Sequence, residues 1–270
     1  MRKLMRVSER WESPLCAVRP RSLGRAVPAF LLASLCGCPL PPSTPAPHST
    51  AGPPADGAAH GAGTPFQVAA ADSLLVVRVY RAGVLASAGH NHVIASHDLG
   101  GSVFVPCDRA RTTFVIDVPV TTLTVDEPEL RAAEPGTEFP PDVPESAREG
   151  TRKNMLSAAV LDGGQFARVT LRGERLEPNG SGVGVAEIES TVRAAVRRLE
   201  VPVRYRLEAT TLSVTADFPL RQSDLGLQPF SAMLGALQVA DEMHVSVRLV
   251  AHAALAPQCS PSSTSSASAL

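Results

Sequence analysis

Residues 201–207 (VPVRYRL) and 212–220 (LSVTADFPL) alternate apolar and polar side chains almost without error. In the first, Val201, Val203, Tyr205 and Leu207 share one face, and Pro202, Arg204 and Arg206 share the other. In the second, Leu212, Val214, Ala216, Phe218 and Leu220 stand against Ser213, Thr215, Asp217 and Pro219. A period of two is the pleat of a β-strand with one dry face and one wet face. The connection 208–211 has hairpin length, so the two strands are predicted to pair antiparallel.

Working outward, the same signal recurs. Residues 66–70, 73–81, 90–95 and 101–105 are strand candidates, and 113–120 alternates through Phe114, Ile116, Val118 and Val120. Strands resume at 165–176, followed by the turn signal Pro178-Asn179-Gly180, then 184–193, 194–199 and a final strand at 242–250. Residues 127–144, rich in Pro and acid, read as an irregular loop. Residues 144–161 read as the one helix, with Ser146 as N-cap and Glu149 at capping-box spacing. No βαβ rhythm is present, which leaves a closed barrel or a two-sheet sandwich. The fold class predicted is all-β with one helix, an antiparallel up-and-down eight-stranded barrel, because closure removes exposed strand edges. The expected barrel carries no aromatic girdle and its polar faces are dense in Arg and Glu, so the apolar face is expected to point inward.

Outside the barrel the chain changes character. Residues 1–25 carry seven Arg and Lys, and 26–37 (AVPAFLLASLCG) form a twelve-residue apolar block. That block is too short to span a bilayer and suits the core of a signal peptide. It ends in Leu35-Cys36-Gly37-Cys38, which resembles a bacterial lipoprotein signature with Cys38 as the acylated residue. The expected organisation is a signal peptide over 1–38, a Pro/Ala/Gly-rich tether over 39–65, a barrel domain over 66–256 and a loose tail over 257–270. The expected localisation is the periplasm or an outer-membrane-anchored lipoprotein.

Of 270 residues 44% are hydrophobic, and the net charge of −1 offers no reason to expect nucleic acid as a partner. Five Cys make no even disulfide framework. Cys107 and Cys259 could pair in an oxidising compartment, although the tail around Cys259 argues against it. No GxSxG, phosphate loop or usable nucleophile is present, so an enzyme is not expected; Asp126, Glu127 and Glu129 read as a solvated acidic patch. His90 and His92 would share a strand face, a spacing that can hold two metal ligands, with His97, His244, His252 or Asp98 as a third. The bland alternative is a pair of hydrogen-bonded histidines where the strand begins.

Taken together these residues resemble the YceI-like family, exported bacterial proteins with a lipocalin-like barrel that bind polyisoprenoid lipids. The resemblance covers most of 71–252. It rests on Gly89-His90-Asn91-His92-Val93 and on the helix through Asn154-Met155 to Leu161-Asp162. It also rests on Gln165-Phe166-Ala167, on Arg221-Gln222-Ser223-Asp224-Leu225-Gly226-Leu227, and on Val239-Ala240-Asp241-Glu242 before the last strand. Leu225 stands where the family usually has an aromatic. The resemblance implies a carrier or sequestering protein for an isoprenoid chain of the quinone or polyprenyl phosphate class, with the lipid or quinone as its only bound group. Arg221, Asp224, Tyr205, Phe218 and Met155 are the lipid-binding candidates it suggests; equally, Arg221 and Asp224 could pair with each other and hold their loop. The alternatives are a metal-binding protein using His90 and His92, or a structural envelope stress protein with a packed barrel.

Overall fold

The structure is a computed structural model that describes residues 62–107, 112–178 and 182–255. Cys38, the expected signal peptide, most of the expected tether and all of the expected tail lie outside those residues. The barrel has eight staves, three of them broken in two by bends. The first stave is β1 (Gly63–Val68) with β2 (Leu74–Ala82), the second β3 (His92–Ser96) with β4 (Gly100–Pro106), and the third β5 (Thr113–Pro119) with β6 (Thr124–Val125). The rest are β7 (Arg168–Pro178), β8 (Val183–Val192), β9 (Ala195–Leu207), β10 (Thr211–Arg221) and β12 (Leu237–Ala253), with a two-residue strand β11 (Ser231–Ala232) beside β12. Each stave pairs antiparallel with the next, and β12 closes the ring on both β1 and β2. The predicted up-and-down barrel is the fold. The ring and its core are built entirely within the described residues, so this part of the chain has what an independent domain needs.

The hairpin that the alternating stretches predict is present, with Leu212 opposite Leu207 and Val214 opposite Tyr205. Inward positions of both strands line the interior, as the period of two requires. Phe66, Val103, Val105, Ile116, Leu212, Leu249 and Ala251 form one end of the core, drawn from five different strands. At the other end Leu99, Val118, Val120, Leu123 and Met155 pack together.

Several boundaries differ from the sequence reading. β1 begins at Gly63, ahead of Phe66, because Thr64 is buried and the strand continues to pair with β4 there. The separate strands expected at 194–199 and 201–207 are one strand, β9, whose whole length pairs with β8 or β10. The turn before it needs only Arg193 and Ala194, with Arg193 in the left-handed region at φ 54°. The loop expected at 127–144 contains a short helix, α1 (Pro128–Ala132), begun by a proline whose missing N–H costs nothing in a first turn. The main helix, α2, is shorter than expected, Glu145–Leu156, and Pro144 is its N-cap with no side-chain capping bond, so Ser146 lies inside the helix. Cys107 is disulfide-bonded, against the expectation for it, and every other cysteine lies outside the described residues.

At the bend in the second stave, Gly101 adopts φ +119°, and a Cβ there would lie 2.0 Å from the carbonyl oxygen of Val115. Backbone cannot move aside as a side-chain tip can. Gly101→Ala is therefore expected to cost about 2–3 kcal/mol, read as a shift in the denaturant midpoint. A loss under about 0.5 kcal/mol would show that the bend relaxes freely.

Candidate functional site

The eight staves enclose a cavity of about 340 Å³. Its wall comes from every stave, and among its lining residues only Thr112, Tyr205 and Gln222 carry a polar group while none carries a charge. The composition follows from the pleat: each stave contributes its dry face, and the dry faces are mostly Val, Leu, Ile and Ala, with Phe114, Tyr205 and Phe218 as the aromatic side chains among them. These mid-sized side chains leave the barrel axis unfilled where larger aromatics would meet across it.

The long connection between β6 and β7 covers one end. Met155 from α2, with Val160 and Leu161 just after it, forms part of the cavity wall. This helical cap is tied down by polar contacts at its edges, including Arg152 to the carbonyl of Thr121 at 2.6 Å and Arg193 to that of Val160 at 3.3 Å.

A second piece of the cap is the segment after β10. Gln222 is buried; its Nε2 donates to the carbonyl of Ala240 at 2.7 Å, and its N–H donates to that of Asp241. Asp241 accepts in turn from the hydroxyl of Ser223 at 2.6 Å and from its N–H at 2.9 Å, and these bonds hold the Asp241 carboxyl below the usual carboxylate range. Asp241 can reach because β12 bulges there, so that Val239 faces Arg81 while Met243 already faces Val79. The two sequence motifs 221–227 and 239–242 are therefore one hydrogen-bonded unit. It directs Leu225 and Leu227 into the cavity. Gly226, at φ +76°, lets the unit lie against β9, since a Cβ there would fall 2.8 Å from that of Ala195.

β9 and β10 part near this unit. Their pairing ends at Arg204 and Thr215, yet β9 stays paired with β8 as far as Ala195, and β10 with β12 as far as Arg221. Over that length the two strands meet only through side chains: Leu199 and Val201 on one side, Ala216 and Phe218 on the other, all lining the cavity. A seam without backbone hydrogen bonds opens at smaller cost than one held by them.

Of the residues singled out from sequence, Tyr205, Phe218 and Met155 all line the cavity. Arg221 and Asp224 do not; both are exposed at the cap. Their expected side-chain pairing is replaced by a weaker link, the Arg221 N–H donating to the Asp224 carboxylate at 3.4 Å. Arg221 is on the wet face of β10 because Leu220, one residue earlier, takes the inward position.

His90 and His92 do not act as a pair. His90 lies before β3 and borders a polar pocket of about 490 Å³ with Tyr80, Arg81, Asn91, Thr137 and Glu138. His92 is buried in β3 with both ring nitrogens occupied, Nδ1 at 2.6 Å from Asp126 and Nε2 at 3.0 Å from the Thr151 hydroxyl. With Asp126 ionised, Nδ1–H donates to the carboxylate and Nε2 accepts from Thr151. Among the described residues no three His, Cys, Asp or Glu side chains gather as metal ligands.

The residue that sequence reading misplaced is Asp126. Instead of a solvated patch it is 2% exposed. Its carboxylate accepts from His92, from the Val93 N–H at 2.9 Å and from Arg131 at 2.6 Å. Arg131, 1% exposed, also donates to the carbonyls of Pro140 and Asn91 and lies over the Phe139 ring at 5.7 Å. Burial acts to raise the Asp126 carboxyl. The bonds from His92 and Val93 and the neighbouring positive charge of Arg131 outweigh it and hold the group below the usual carboxylate range. Thr151, His92 and Asp126 stand in the order of a hydrolase relay, but none of the three borders either pocket. Together with Arg131 they join β3, α1 and α2, and so clamp the cap onto the barrel.

No protein-family model matches the chain, and no curated protein matches it in sequence. Among solved structures it is similar to BcnA of Burkholderia cenocepacia, with 14% identity and a TM-score of 0.49 over 68% of this chain and 98% of that one. It is also similar to a polyisoprenoid-binding domain from Saccharophagus degradans implicated in plant cell wall breakdown, with 10% identity and a TM-score of 0.45 over 70% and 98% of the two chains. A YceI protein of Campylobacter jejuni follows, at 7% identity and a TM-score of 0.41 over 57% and 81%.

Proposed function

We propose that this protein binds and carries an isoprenoid-type lipid in the interior of its barrel, within the bacterial cell envelope. The observation that supports it is the cavity itself: an uncharged, apolar space of about 340 Å³ running between staves, with a helical cap at one end. Each CH₂ moved from water into such a space contributes roughly 0.8 kcal/mol, so a branched hydrocarbon chain gains affinity with every unit enclosed and needs no catalytic group. An uncharged wall cannot hold a phosphate. On this reading a quinone head would meet the polar groups of the wall, at Tyr205 or Gln222, whereas the charged head of a polyprenyl phosphate would remain in solvent. The resemblance of residues 221–227 and 239–242 to the YceI-like family points to the same ligand class, and the apolar block ending at Cys38 supports an exported, membrane-anchored protein.

Native mass spectrometry on residues 56–270, purified without detergent, tests this reading. The expected spectrum shows a lipid-sized adduct that disappears after extraction with organic solvent, and its mass separates a quinone from a polyprenyl phosphate. An apo mass after purification, unchanged by incubation with either lipid class, would falsify the carrier reading.

A further inference from the structure

We propose that the barrel docks on a lipid bilayer by its cap end, through an apolar tip made of Val84 and Leu85 on one loop and Met233 and Leu234 on another. This deepens the carrier reading and rests on it for its purpose, though its observations are separate. Large apolar side chains are seldom left bare in clusters. Here Val84 is 88% exposed, Leu85 41%, Met233 69% and Leu234 109%, so Leu234 is as open to solvent as in an extended peptide. Other exposed apolar residues, such as Val185 on the barrel wall, stand singly.

The two loops form one surface. The Leu85 N–H donates to the carbonyl of Ala236 at 2.8 Å, and Gly83, at φ +90°, abuts the same backbone. The projection is held in place by a costly backbone. Met233 and Leu234 lie consecutively in the left-handed region, at φ 52° and 55°. That conformation disfavours such residues and survives only where its surroundings impose it. Neither loop carries a charge, since residues 82–90 and 225–240 contain no Asp, Glu, Lys or Arg. A charge carried into the hydrocarbon would oppose insertion, and here there is none to carry. A protruding aliphatic tip on uncharged loops suits the acyl boundary of a bilayer.

The tip is also at the end where a lipid would pass. β2 ends and β12 begins there, beside Leu225 and Leu227 and the unpaired part of the β9–β10 seam. β1 starts at the opposite end of the barrel, yet an anchor at Cys38 does not prevent this docking. The residues between Cys38 and Gly63 reach about 80 Å when extended, against roughly 37 Å for a strand as long as β10.

The test is flotation of residues 56–270 with extruded vesicles of phosphatidylcholine and phosphatidylglycerol, with native mass spectrometry on the same samples. The wild-type barrel is expected to float with the vesicles. Met233→Asp combined with Leu234→Asp is expected to lower the vesicle-bound fraction at least tenfold, while Val185→Asp, away from the tip, leaves it unchanged. The double variant keeps its lipid adduct, because neither residue lines the cavity. A wild-type barrel that carries lipid but stays in solution overturns the docking tip alone. One that floats through the tip but carries no lipid overturns the carrier reading alone. Equal flotation of wild type and double variant, or dimers that the double variant abolishes without vesicle binding, overturns the tip.

Discussion

Asp126→Ala is expected to cost about 3–5 kcal/mol, a large share of the roughly 5–15 kcal/mol that holds a domain of this kind together. The loss is not that of one contact. The Asp126 carboxylate is the counter-charge of a 1%-exposed Arg131 and also the acceptor for His92 and the Val93 N–H. Removing it leaves a buried guanidinium with no compensating charge and an imidazole whose Nδ1 proton has no acceptor. Asp126→Asn keeps the shape and tolerates φ 54°, so it is expected to recover part of the loss but not the charge. Chemical denaturation of the three proteins measures this. An alanine variant within about 1 kcal/mol of wild type would show that Arg131 finds solvent or another acceptor when Asp126 is absent.

The same group sets an acid limit. The Asp126 carboxyl is depressed in the folded state, so its contribution is complete above the ordinary carboxylate range and is lost as pH falls through its lower folded value. Wild-type stability is thus expected to decline below about pH 4. Asp126→Asn should flatten that part of the profile while leaving the profile at neutral pH parallel to wild type.

Ala216→Trp is expected to empty the barrel of ligand without unfolding it. Ala216 points inward from β10 beside the seam, across from Val201 and Val203, and borders the cavity together with Phe218. An indole in place of a methyl occupies space that a bound chain would need. Because the space already exists, the overpacking cost usual in a filled core, about 1–3 kcal/mol, should be largely avoided. Retained lipid is expected to fall at least about tenfold, equivalent to about 1.4 kcal/mol of binding, with an unchanged far-ultraviolet circular dichroism spectrum. If the variant keeps its lipid, the chain lies elsewhere than between β9 and β10. If it unfolds while Leu220→Phe does not, the space near Ala216 is too narrow for a lipid at all.

The barrel was legible in the amino-acid sequence because its determinants are local. A period of two assigns each residue of β9 and β10 to a face, the short connection at 208–211 makes neighbours antiparallel, and the absence of helical rhythm between strands rules out parallel crossovers. That assignment places Tyr205 and Phe218 inside. Met155 follows from the apolar side of α2.

What tertiary structure alone decided are the pairings between distant segments. Asp126 looks like its acidic neighbours Glu127 and Glu129; it is buried because β3 brings His92 and α1 brings Arg131 to it, and no local pattern encodes that meeting. Arg221 and Asp224 were candidates either for the lipid site or for pairing with each other, but a bulge in β12 presents Asp241 to Ser223 and both side chains are exposed. The parting of β9 from β10 and the joining of the loops at Val84 and Leu234 likewise depend on how the ring closes. Side-chain alternation specifies which way a residue points; closure of the barrel specifies what it meets.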